Sequence, residues 1–364
     1  MKNSFGNSVS VTLFGESHGP LIGAVLDGMA PGIPVDEDFI RHQLSLRRPS
    51  GVGATSRVEP DDFNIVSGVK NGRTTGTPLC ILIPNRDLRS EDYDEDLLRP
   101  GHADYAGYCK YHGFEDRNGG GHFSGRLTAS LVALGAIALS ALRENGIFIG
   151  SHISSLGGVS DREFSESPLD DIELLEDLPF PTLDEEAGEA MQREILAAYE
   201  NEDSLGGVLE TIVTGLPAGV GEPWFDTVEG VLSHALFSIP AVKGVEFGEG
   251  FGFAELPGSE ANDEFYLSGR DIVTETNHNG GVNGGITNGM PLLFRCAFKP
   301  TPSIGVEQNT VNLRTMTEET IAISGRHDAC ILPRARVVVD SVAALALCDL
   351  LAQRFGTDFL NPEE

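Results

Sequence analysis

Residues 127–145 are almost entirely Leu, Ala, Val and Ile on every side, and this segment limits the possible folds more than any other. Its composition predicts one helix, ending where Gly146 is placed to adopt the left-handed C′ conformation. Residues 337–355 have the same character and stop at Gly356. A helix that is apolar all round must be buried on most sides. We therefore expect an α+β fold, a layered sandwich in which these helices pack against antiparallel sheets.

Short strands and one further helix are predicted around these segments. The strands fall at residues 9–13, 22–27, 79–83, 208–214 and 291–298, and the helix at residues 36–48. The connections are long and uneven, and no GxGxxG sequence opens a helix, so a regular βαβ dinucleotide-binding fold is not supported. A strand, a Pro/Gly turn and a helix occur twice, at residues 22–36 and 208–223, and the glycines that follow the two strands, Gly28 and Gly215, lie 187 positions apart. This repetition favours an internal duplication within a single domain spanning residues 1–364.

The overall charge excludes one large class of partner. The chain carries 55 Asp and Glu against 25 Lys and Arg, a net charge of -30. General nucleic-acid binding is excluded because phosphate neutralisation needs a basic surface. Residues 161–203 alone hold 16 acidic side chains and two arginines. We predict that they form a solvated, acidic surface segment within the domain.

The sequence also bears on where the protein works. The N-terminal residues show no signal-peptide pattern, and no uninterrupted apolar run of about eighteen residues predicts a membrane span. The five cysteines are scattered without a CxxC pair, which fits free thiols in a reducing compartment. We therefore expect a cytoplasmic protein with neither membrane nor nucleic-acid partners.

Two histidines lie in short polar segments that contain glycine. His18 belongs to the sequence GESHG at residues 15–19, and His102 belongs to RPGHADY at residues 99–105. Glycine lets the backbone turn tightly beside a ligand, and histidine is the side chain that titrates nearest neutral pH. The two segments therefore indicate acid–base chemistry. The alternative is a pair of loop histidines that only form local hydrogen bonds.

Three arginines close together in an acidic chain favour an anion site. Arg47 and Arg48 end the helix predicted at residues 36–48, and Arg57 follows after a Gly/Ser-rich turn. Arginine binds carboxylate and phosphate through two parallel hydrogen bonds. A helix C-terminus also attracts cations, which would account for Arg47 or Arg48 but not for Arg57.

Three further segments contain glycine next to polar or charged residues that could bind a ligand. Residues 117–126 place three glycines directly before the apolar helix, where backbone N–H groups would contact a phosphate or a polar ring. Residues 274–289 are rich in Gly and Asn, which suits close approach to a flat ligand, and they lead to a Lys-Pro-Thr-Pro-Ser turn. Residues 324–330 again combine arginine, histidine and aspartate. A metal site is not expected, because no HxH or HExxH spacing supports one.

Taken together and in this order, these segments resemble the chorismate synthase family from Phe5 to about Phe355. The matching motifs are GESHG, RPGHADY, the triple-glycine loop, residues 238–248, the Gly/Asn loop before Lys-Pro-Thr-Pro-Ser, and Gly-Arg-His-Asp. The resemblance implies a 1,4-anti elimination of phosphate from 5-enolpyruvylshikimate-3-phosphate to give chorismate, the last step of the shikimate pathway. It also implies dependence on reduced FMN, although the reaction involves no net redox change.

The resemblance implies a role for each matching residue. His18 would be the acid at the leaving phosphate, and His102 would lie near the flavin and stabilise its reduced, anionic ring. Asp328 would lie near flavin N5 and accept the ring proton. The substrate contacts would be Ser17, Arg47, Arg48, Arg57 and Arg126. The flavin contacts would be His122, Phe123, Ser124, Pro240, Ala241, Gly284, Lys299, Pro300, Thr301, Pro302, Ser303 and Arg326.

The chain departs from the family pattern at three places. The common Arg-Ser-Ser-Ala-Arg after the triple glycine is His-Phe-Ser-Gly-Arg here, so His122 replaces an arginine while Arg126 remains. A second arginine after the Arg-Arg-Pro segment is missing, and Arg57 is the nearest cation. His-Asp-Pro-Cys becomes His-Asp-Ala-Cys, with Ala329. The first two departures leave the phosphate contacts open.

The resemblance also implies a homotetramer acting on a small molecule. The absence of a dinucleotide fingerprint favours an external flavin reductase, and NADPH would be used only by a bifunctional enzyme. Two other functions are open on the residues alone. One is a metal-dependent phosphohydrolase that uses the His and Asp segments, and the other is a flavin-binding protein without catalysis.

Overall fold

The computed structural model describes residues 3–51, 53–55, 59–87, 96–323 and 328–361. In this part of the chain, two five-stranded antiparallel sheets enclose a layer of helices, which confirms the expected α+β class. The strands are β1 (Ser4–Phe5), β2 (Ser10–Gly15), β3 (Leu21–Asp27), β4 (Asn64–Ser67), β5 (Val69–Lys70), β6 (Arg73–Thr74), β7 (Leu79–Pro84), β8 (Phe148–Leu156), β9 (Val159–Ser160), β10 (Gly207–Thr214), β11 (Val242–Phe247), β12 (Phe265–Ser268), β13 (Asp271–Thr274), β14 (Val282–Asn283), β15 (Ile286–Thr287), β16 (Leu292–Phe298), β17 (Gln308–Asn312) and β18 (Thr317–Ile321). The helices are α1 (Glu37–Arg47), α2 (Asp104–Tyr111), α3 (Thr128–Glu144), α4 (Pro168–Leu175), α5 (Glu185–Glu200), α6 (Val228–Leu236), α7 (Gly258–Ala261) and α8 (Leu332–Phe355).

The two sheets have the same kind of strand order. The first runs β1-β2-β3-β7-β4 and the second β11-β16-β10-β8-β9. Along β7 and along β16 every second residue is buried, because one face of each sheet packs against the helices. The remaining strands form four two-stranded hairpins outside these sheets.

Helices α3 and α8 pack against each other in the middle of the layer, and this contact explains their composition. Their backbones approach closely, since a Cβ on Gly135 would fall 2.2 Å from the Cβ of Ser341. By length and hydropathy, residues Gly125–Glu144 would pass for a membrane span, but 89% of the most apolar window is buried inside the fold. Helix α8 begins at Leu332, earlier than the predicted start at residue 337, because Pro333 is tolerated in a first helical turn.

The predicted internal repeat is visible in the order of elements around each sheet. When the small hairpins and peripheral elements are set aside, the first half reads β2, β3, α1, β4, β7 and α3. The second half reads β8, β10, α6, β11, β16 and α8, and corresponding strands occupy corresponding places in the two sheets. The turns after β3 and β10 use left-handed glycines at equivalent positions, Gly28 and Gly32 in one and Gly215 and Gly219 in the other. The structure therefore supports an internal duplication.

The acidic segment, residues 161–203, is packed into the fold as well as exposed at its surface. It contains α4 and α5, which contact strands of the second sheet. Leu175, Met191 and Ile195 are buried, and the carboxylate of Asp161 is bonded to His152 of β8 at 2.8 Å. The acidic side chains therefore cover the outer faces of helices whose inner faces belong to the fold.

Candidate active site

One large cavity, with a volume of about 1130 Å³, is lined by segments that are far apart in the sequence. Small-molecule sites usually measure roughly 300–1,000 Å³, so this cavity has room for more than one ligand. The predicted site residues that line it are His18, Arg47, Arg48, His102, His122, Phe123, Ser124, Arg126, Pro240, Ala241, Lys299, Thr301, Pro302, Ser303 and Asp328. Arg57 and Arg326 lie outside the described residues. Within the described ranges, no group of three His, Cys, Asp or Glu residues is arranged to hold a metal ion.

His18 lies in the tight turn that joins β2 to β3. A hydrogen bond of 3.1 Å from the Gly19 N–H to the Glu16 carbonyl closes this turn. The side-chain amide of Asn85 donates to the carbonyls of Glu16 (3.0 Å) and Gly19 (2.8 Å). The turn that carries His18 is therefore fixed at both ends.

The triple-glycine loop packs against this turn. Gly119, Gly120 and Gly121 all have positive φ, a region that side chains other than glycine rarely adopt. The Gly121 carbonyl accepts a hydrogen bond of 3.0 Å from the Ser17 N–H. A Cβ on Gly121 would fall 1.8 Å from the Asp116 carbonyl oxygen, so only glycine fits there. The loop is thus anchored and is not a flexible linker.

His122 follows the loop, and the backbone of β2 orients its ring. Its Nδ1 lies 2.8 Å from the Gly15 carbonyl oxygen. A carbonyl oxygen only accepts hydrogen bonds, so Nδ1 carries the proton in the neutral ring and Nε2 is an acceptor. A neutral His122 therefore has no second N–H for an anion, unlike the arginine that the family pattern has at this position.

Arg47, Arg48 and Arg126 meet at the carboxylate of Asp61. Arg126 Nη1 donates a hydrogen bond to Asp61 Oδ1. Arg47 Nη1 and Arg48 Nε each lie 3.8 Å from Asp61 Oδ2. Three of the four arginines predicted to contact the substrate are therefore gathered at one place on the cavity wall, around an internal counter-ion.

The three guanidiniums differ in their hydrogen bonds within the protein and in their exposure to solvent. Arg47 donates to the Gly125 carbonyl (2.8 Å) and to Thr128 Oγ1 (2.9 Å) at the start of α3. Arg126 donates from Nε to Asn85 Oδ1 at 2.9 Å. The side chain of Arg48 is 41% exposed, against 6% for Arg47 and 3% for Arg126. Arg48 is thus the most accessible of the three, whereas Arg47 and Arg126 mainly hold the wall together.

His102 lies at the start of α2, in a loop fixed by an ion pair. Arg99 donates two side-chain hydrogen bonds, of 2.9 and 2.8 Å, to the carboxylate of Asp104. Burial lowers the pKa of His102 to about 4, and the charge of Arg99 acts in the same direction. The neutral ring donates from Nδ1 to the Pro100 carbonyl (3.1 Å), and its Nε2 accepts from Ser303 Oγ (2.9 Å). In this arrangement His102 is uncharged at neutral pH, so it would act on a bound ring through hydrogen bonds and not through a charge of its own.

The turn at residues 299–303 packs against the His102 loop and brings a cation beside it. Lys299 Nζ donates to the Gly101 carbonyl at 2.5 Å, and a Cβ on Gly101 would fall 2.8 Å from Pro302 Cβ. Partial burial lowers the pKa of Lys299. Thr301 Oγ1 is buried and has no hydrogen-bond partner in the part of the chain that the structure describes. A buried hydroxyl without a partner marks a position where a ligand would supply one.

Asp328 is 5% exposed and lines the cavity. Its Oδ2 pairs with Arg334 Nη2 in the first turn of α8, and its Oδ1 accepts a hydrogen bond of 3.2 Å from the Thr55 N–H. Two carboxylate oxygens offer about four acceptor positions, so Asp328 keeps the capacity to accept a further proton or hydrogen bond.

Three predicted site residues do not line the cavity. Ser17 has no exposed surface, because it is enclosed by the triple-glycine loop. Pro300 lies within the turn at residues 299–303 but not on the wall. Gly284 lies in the turn between β14 and β15, where a Cβ would meet nothing within 4 Å. The single chain does not bring these residues to the cavity, and their roles stay predictions.

Asp61, Asn85 and Arg334 line or support the site but were not among the predicted site residues. Asn85 directly follows β7, and a polar side chain at a strand end is a usable signal. Arg334 lies in the first turn of α8. Asp61 stands beside Asp62 in a Pro-Asp-Asp sequence, and nothing local distinguishes the two carboxylates.

The charge balance of the cavity contrasts with that of the whole chain. Eight Lys and Arg and seven Asp and Glu side chains are among the described residues that line it. A nearly balanced wall within a chain of net charge -30 repels small anions far less than the rest of the chain does. The site therefore suits an anionic small molecule.

The family model and similar relatives all indicate the same protein family. The family model described as chorismate synthase matches residues 9–352. The chorismate synthase of Thermococcus kodakarensis is 46% identical over 351 residues, covering 96% of this chain and 97% of the relative. That of Chitinophaga pinensis is 44% identical over 364 residues, covering 99% of this chain and all of the relative.

A solved structure agrees with these relatives. A crystal structure of chorismate synthase superposes with a TM-score of 0.77 at 31% sequence identity. The match covers 96% of this chain and 94% of the solved one.

Proposed function

The chain belongs to the chorismate synthase family, and we propose that the large cavity is the site at which it catalyses the family reaction. The chain is a lyase of aromatic amino acid biosynthesis that eliminates phosphate from 5-enolpyruvylshikimate-3-phosphate to give chorismate, and the family depends on reduced FMN. One observation carries the assignment of the site. His18, His102 and Asp328 lie on three distant segments and line the same cavity.

The wall formed by residues 299–303 and the His102 loop fits a flavin. It offers the unpartnered hydroxyl of Thr301, the ammonium of Lys299 and the neutral ring of His102. A flavin presents hydrogen-bonding groups along one edge of a planar ring, and the volume of about 1130 Å³ leaves room for a substrate beside it. When bound, reduced flavin would supply electron density to the substrate ring. Lys299 is the cation placed to balance negative charge here, while His102 and Ser303 orient one another.

The departure of phosphate from the substrate needs a proton donor at the leaving oxygen and cations that bind the anion. His18 would hold a proton at the leaving oxygen, and its fixed turn would keep the imidazole in place as the bond breaks. Arg48 would contact an anionic group of the substrate, supported by Arg47 and Arg126. Asp328 would accept the ring proton, with Arg334 orienting the carboxylate.

The test is an anaerobic reaction of the protein with 5-enolpyruvylshikimate-3-phosphate and chemically reduced FMN. We expect stoichiometric phosphate and chorismate, and the absence of both would refute the proposed function. His18→Ala should lower kcat by about 10²–10⁴-fold, the usual contribution of a general acid. Flavin affinity, measured by fluorescence titration, should stay nearly unchanged, and its loss would reassign His18 to flavin binding.

We expect the flavin to be reduced by an external reductase, since the sequence has no dinucleotide fingerprint. NADPH added without a reductase should then give no turnover. Turnover under those conditions would identify a bifunctional enzyme.

A homotetramer in the cytoplasm is the assembly and location that we propose. The hairpin of β12 and β13 exposes Phe265, Tyr266, Leu267 and Ile272, an apolar surface that favours burial against another copy. All five cysteines are free, as in proteins of reducing compartments. Light scattering of the purified protein and cell fractionation test the two statements.

A further inference from the structure

Arg47, Arg48 and Arg126 form the arginine wall of the cavity, and the carboxylate of Asp61 lies between them. The side chain of Asp61 is fully buried, and three guanidiniums surround it. Oδ1 is hydrogen-bonded to Arg126, whereas Oδ2 has no hydrogen-bond partner among the described residues and lies at ion-pair distance from two arginines. Asp61 thus holds one guanidinium tightly and two loosely.

Without the Asp61 carboxylate, the repulsion among the three cations would be offset, within the described residues, only by Glu59, whose Oε2 lies 3.9 Å from Arg126 Nη2. Arg47 and Arg126 are almost fully buried, where the repulsion between like charges is poorly screened by water. Arg48 is the most exposed member. Its Nη2 donates to the Pro60 carbonyl, but its Nε lacks a hydrogen-bond partner in the described chain and its side chain reaches solvent. We therefore expect loss of the counter-ion to change the position of Arg48 more than that of Arg47 or Arg126.

The position of Asp61 also connects the wall to His18. Arg126 donates to Asp61 on one side and to Asn85 on the other, and Asn85 fixes the turn that carries His18. A displaced Arg126 would therefore alter the distance between the cations and the acid.

We propose that Asp61 is a positioning residue, which holds Arg47, Arg48 and Arg126 together as a preformed site for the substrate's anionic groups. The inference rests on the proposed function of the cavity. The side chain of Asp61 is fully buried among the arginines, so we expect its effect on the substrate to pass through them. Its removal should therefore weaken anion binding more than it slows the chemical step.

Asp61→Asn removes the charge with little change of volume, and Asp62→Asn is the matched control. Asp62 is the neighbouring carboxylate, 59% exposed and paired with Arg86 outside the wall. We expect Asp61→Asn to raise KM for 5-enolpyruvylshikimate-3-phosphate at least tenfold, with kcat changed less than threefold and FMN affinity unchanged. Asp62→Asn should leave all three values as in the wild type.

Two outcomes would overturn the proposal. A KM equal to or below that of the wild type would show that the arginines bind the substrate without Asp61. A parallel fall of kcat, flavin affinity and Tm would show a general structural role. If Asp61→Asn does not fold, Asp61→Glu keeps the charge but misplaces it, and the same rise of KM is expected.

A binding measurement tests the positioning role of Asp61 independently of the proposed enzymatic activity. Calorimetric titration with inorganic phosphate requires no turnover, and the Kd should rise about tenfold in Asp61→Asn relative to both wild type and Asp62→Asn. Equal phosphate affinity in the three proteins would contradict the positioning role. Failure of the wild type to form chorismate would instead contradict the proposed function and leave the phosphate result interpretable.

Discussion

Gly119 lies directly against the imidazole of His18, since a Cβ at position 119 would fall 2.0 Å from Cε1 and 2.1 Å from Nδ1 of that ring. The triple-glycine loop therefore does more than leave space for a ligand. It forms one wall of the pocket that holds the proposed acid. Any side chain at position 119 must displace either the loop or the ring.

We predict that Gly119→Ala lowers kcat about 100-fold, because a shift of about 1 Å in a catalytic group costs that much. Gly120→Ala is the matched control. Gly120 also has positive φ, but the nearest atom to its Cβ would be Ser124 Cβ at 3.6 Å. Steady-state kinetics of both variants separates contact with His18 from backbone strain, and equal losses would show that strain alone matters.

Asn85 should matter for catalysis through the turn that it fixes. Asn85→Asp keeps the oxygen that accepts from Arg126 but replaces the NH2 group that donates to the carbonyls of Glu16 and Gly19. We predict a kcat about 10- to 100-fold lower than that of the wild type, with a smaller change of KM. Asn64→Asp, on an exposed strand of the same sheet, is the control. A kcat like that of the control would mean that the His18 turn keeps its form unaided.

The buried, neutral state of His102 predicts a loss of stability in acid. The pKa of His102 is lowered from 6.5 to about 4 in the folded protein, so between these values the unfolded chain binds the extra proton. The free energy of unfolding should therefore fall as the pH decreases through this window, by up to about 1.4 kcal/mol per pH unit for one proton. Urea unfolding between pH 7 and pH 4 should give a shallower dependence for His102→Gln, and identical slopes would contradict the assignment.

The long apolar helices were predictable from sequence because their burial is visible in the composition of the helices themselves. Burial on all sides requires an apolar residue at nearly every position, and that pattern is visible in residues 127–145 without any knowledge of the partner. The repeat was likewise visible, since Gly28 and Gly215 mark equivalent left-handed turns.

The charge network was not predictable, because it depends on which side chains the fold buries. Asp61 and Asp62 are adjacent carboxylates in the sequence, yet the first is enclosed by three arginines and the second faces solvent. For the same reason, the composition of the acidic segment gave only part of its structure. Its composition describes the exposed faces of α4 and α5 and not the buried residues, such as Met191, that attach them to the fold.

His152 shows how strongly that segment is attached. Its ring is fully buried, with Nδ1 2.8 Å from Asp161 Oδ2 and Nε2 3.3 Å from Glu210 Oε1. Burial alone would lower the pKa of His152, but the hydrogen bonds to Asp161 and Glu210 outweigh it and raise the pKa. Glu210 is in turn paired with Arg295 at 2.6 Å. A protonated ring therefore links the acidic segment to the second sheet.

Stability should consequently decline as the medium becomes alkaline. The folded protein holds the proton on His152 at pH values where the unfolded chain has released it, so the contribution is complete below pH 6.5 and is lost as the pH rises through the raised value. His152→Gln should cost about 3–5 kcal/mol at pH 6, the usual penalty for breaking a buried pair, and less at pH 9. Urea unfolding of both proteins across this range measures the difference. A gap that stays constant or widens towards pH 9 would show that His152 is neutral in the fold and binds its carboxylates without a charge.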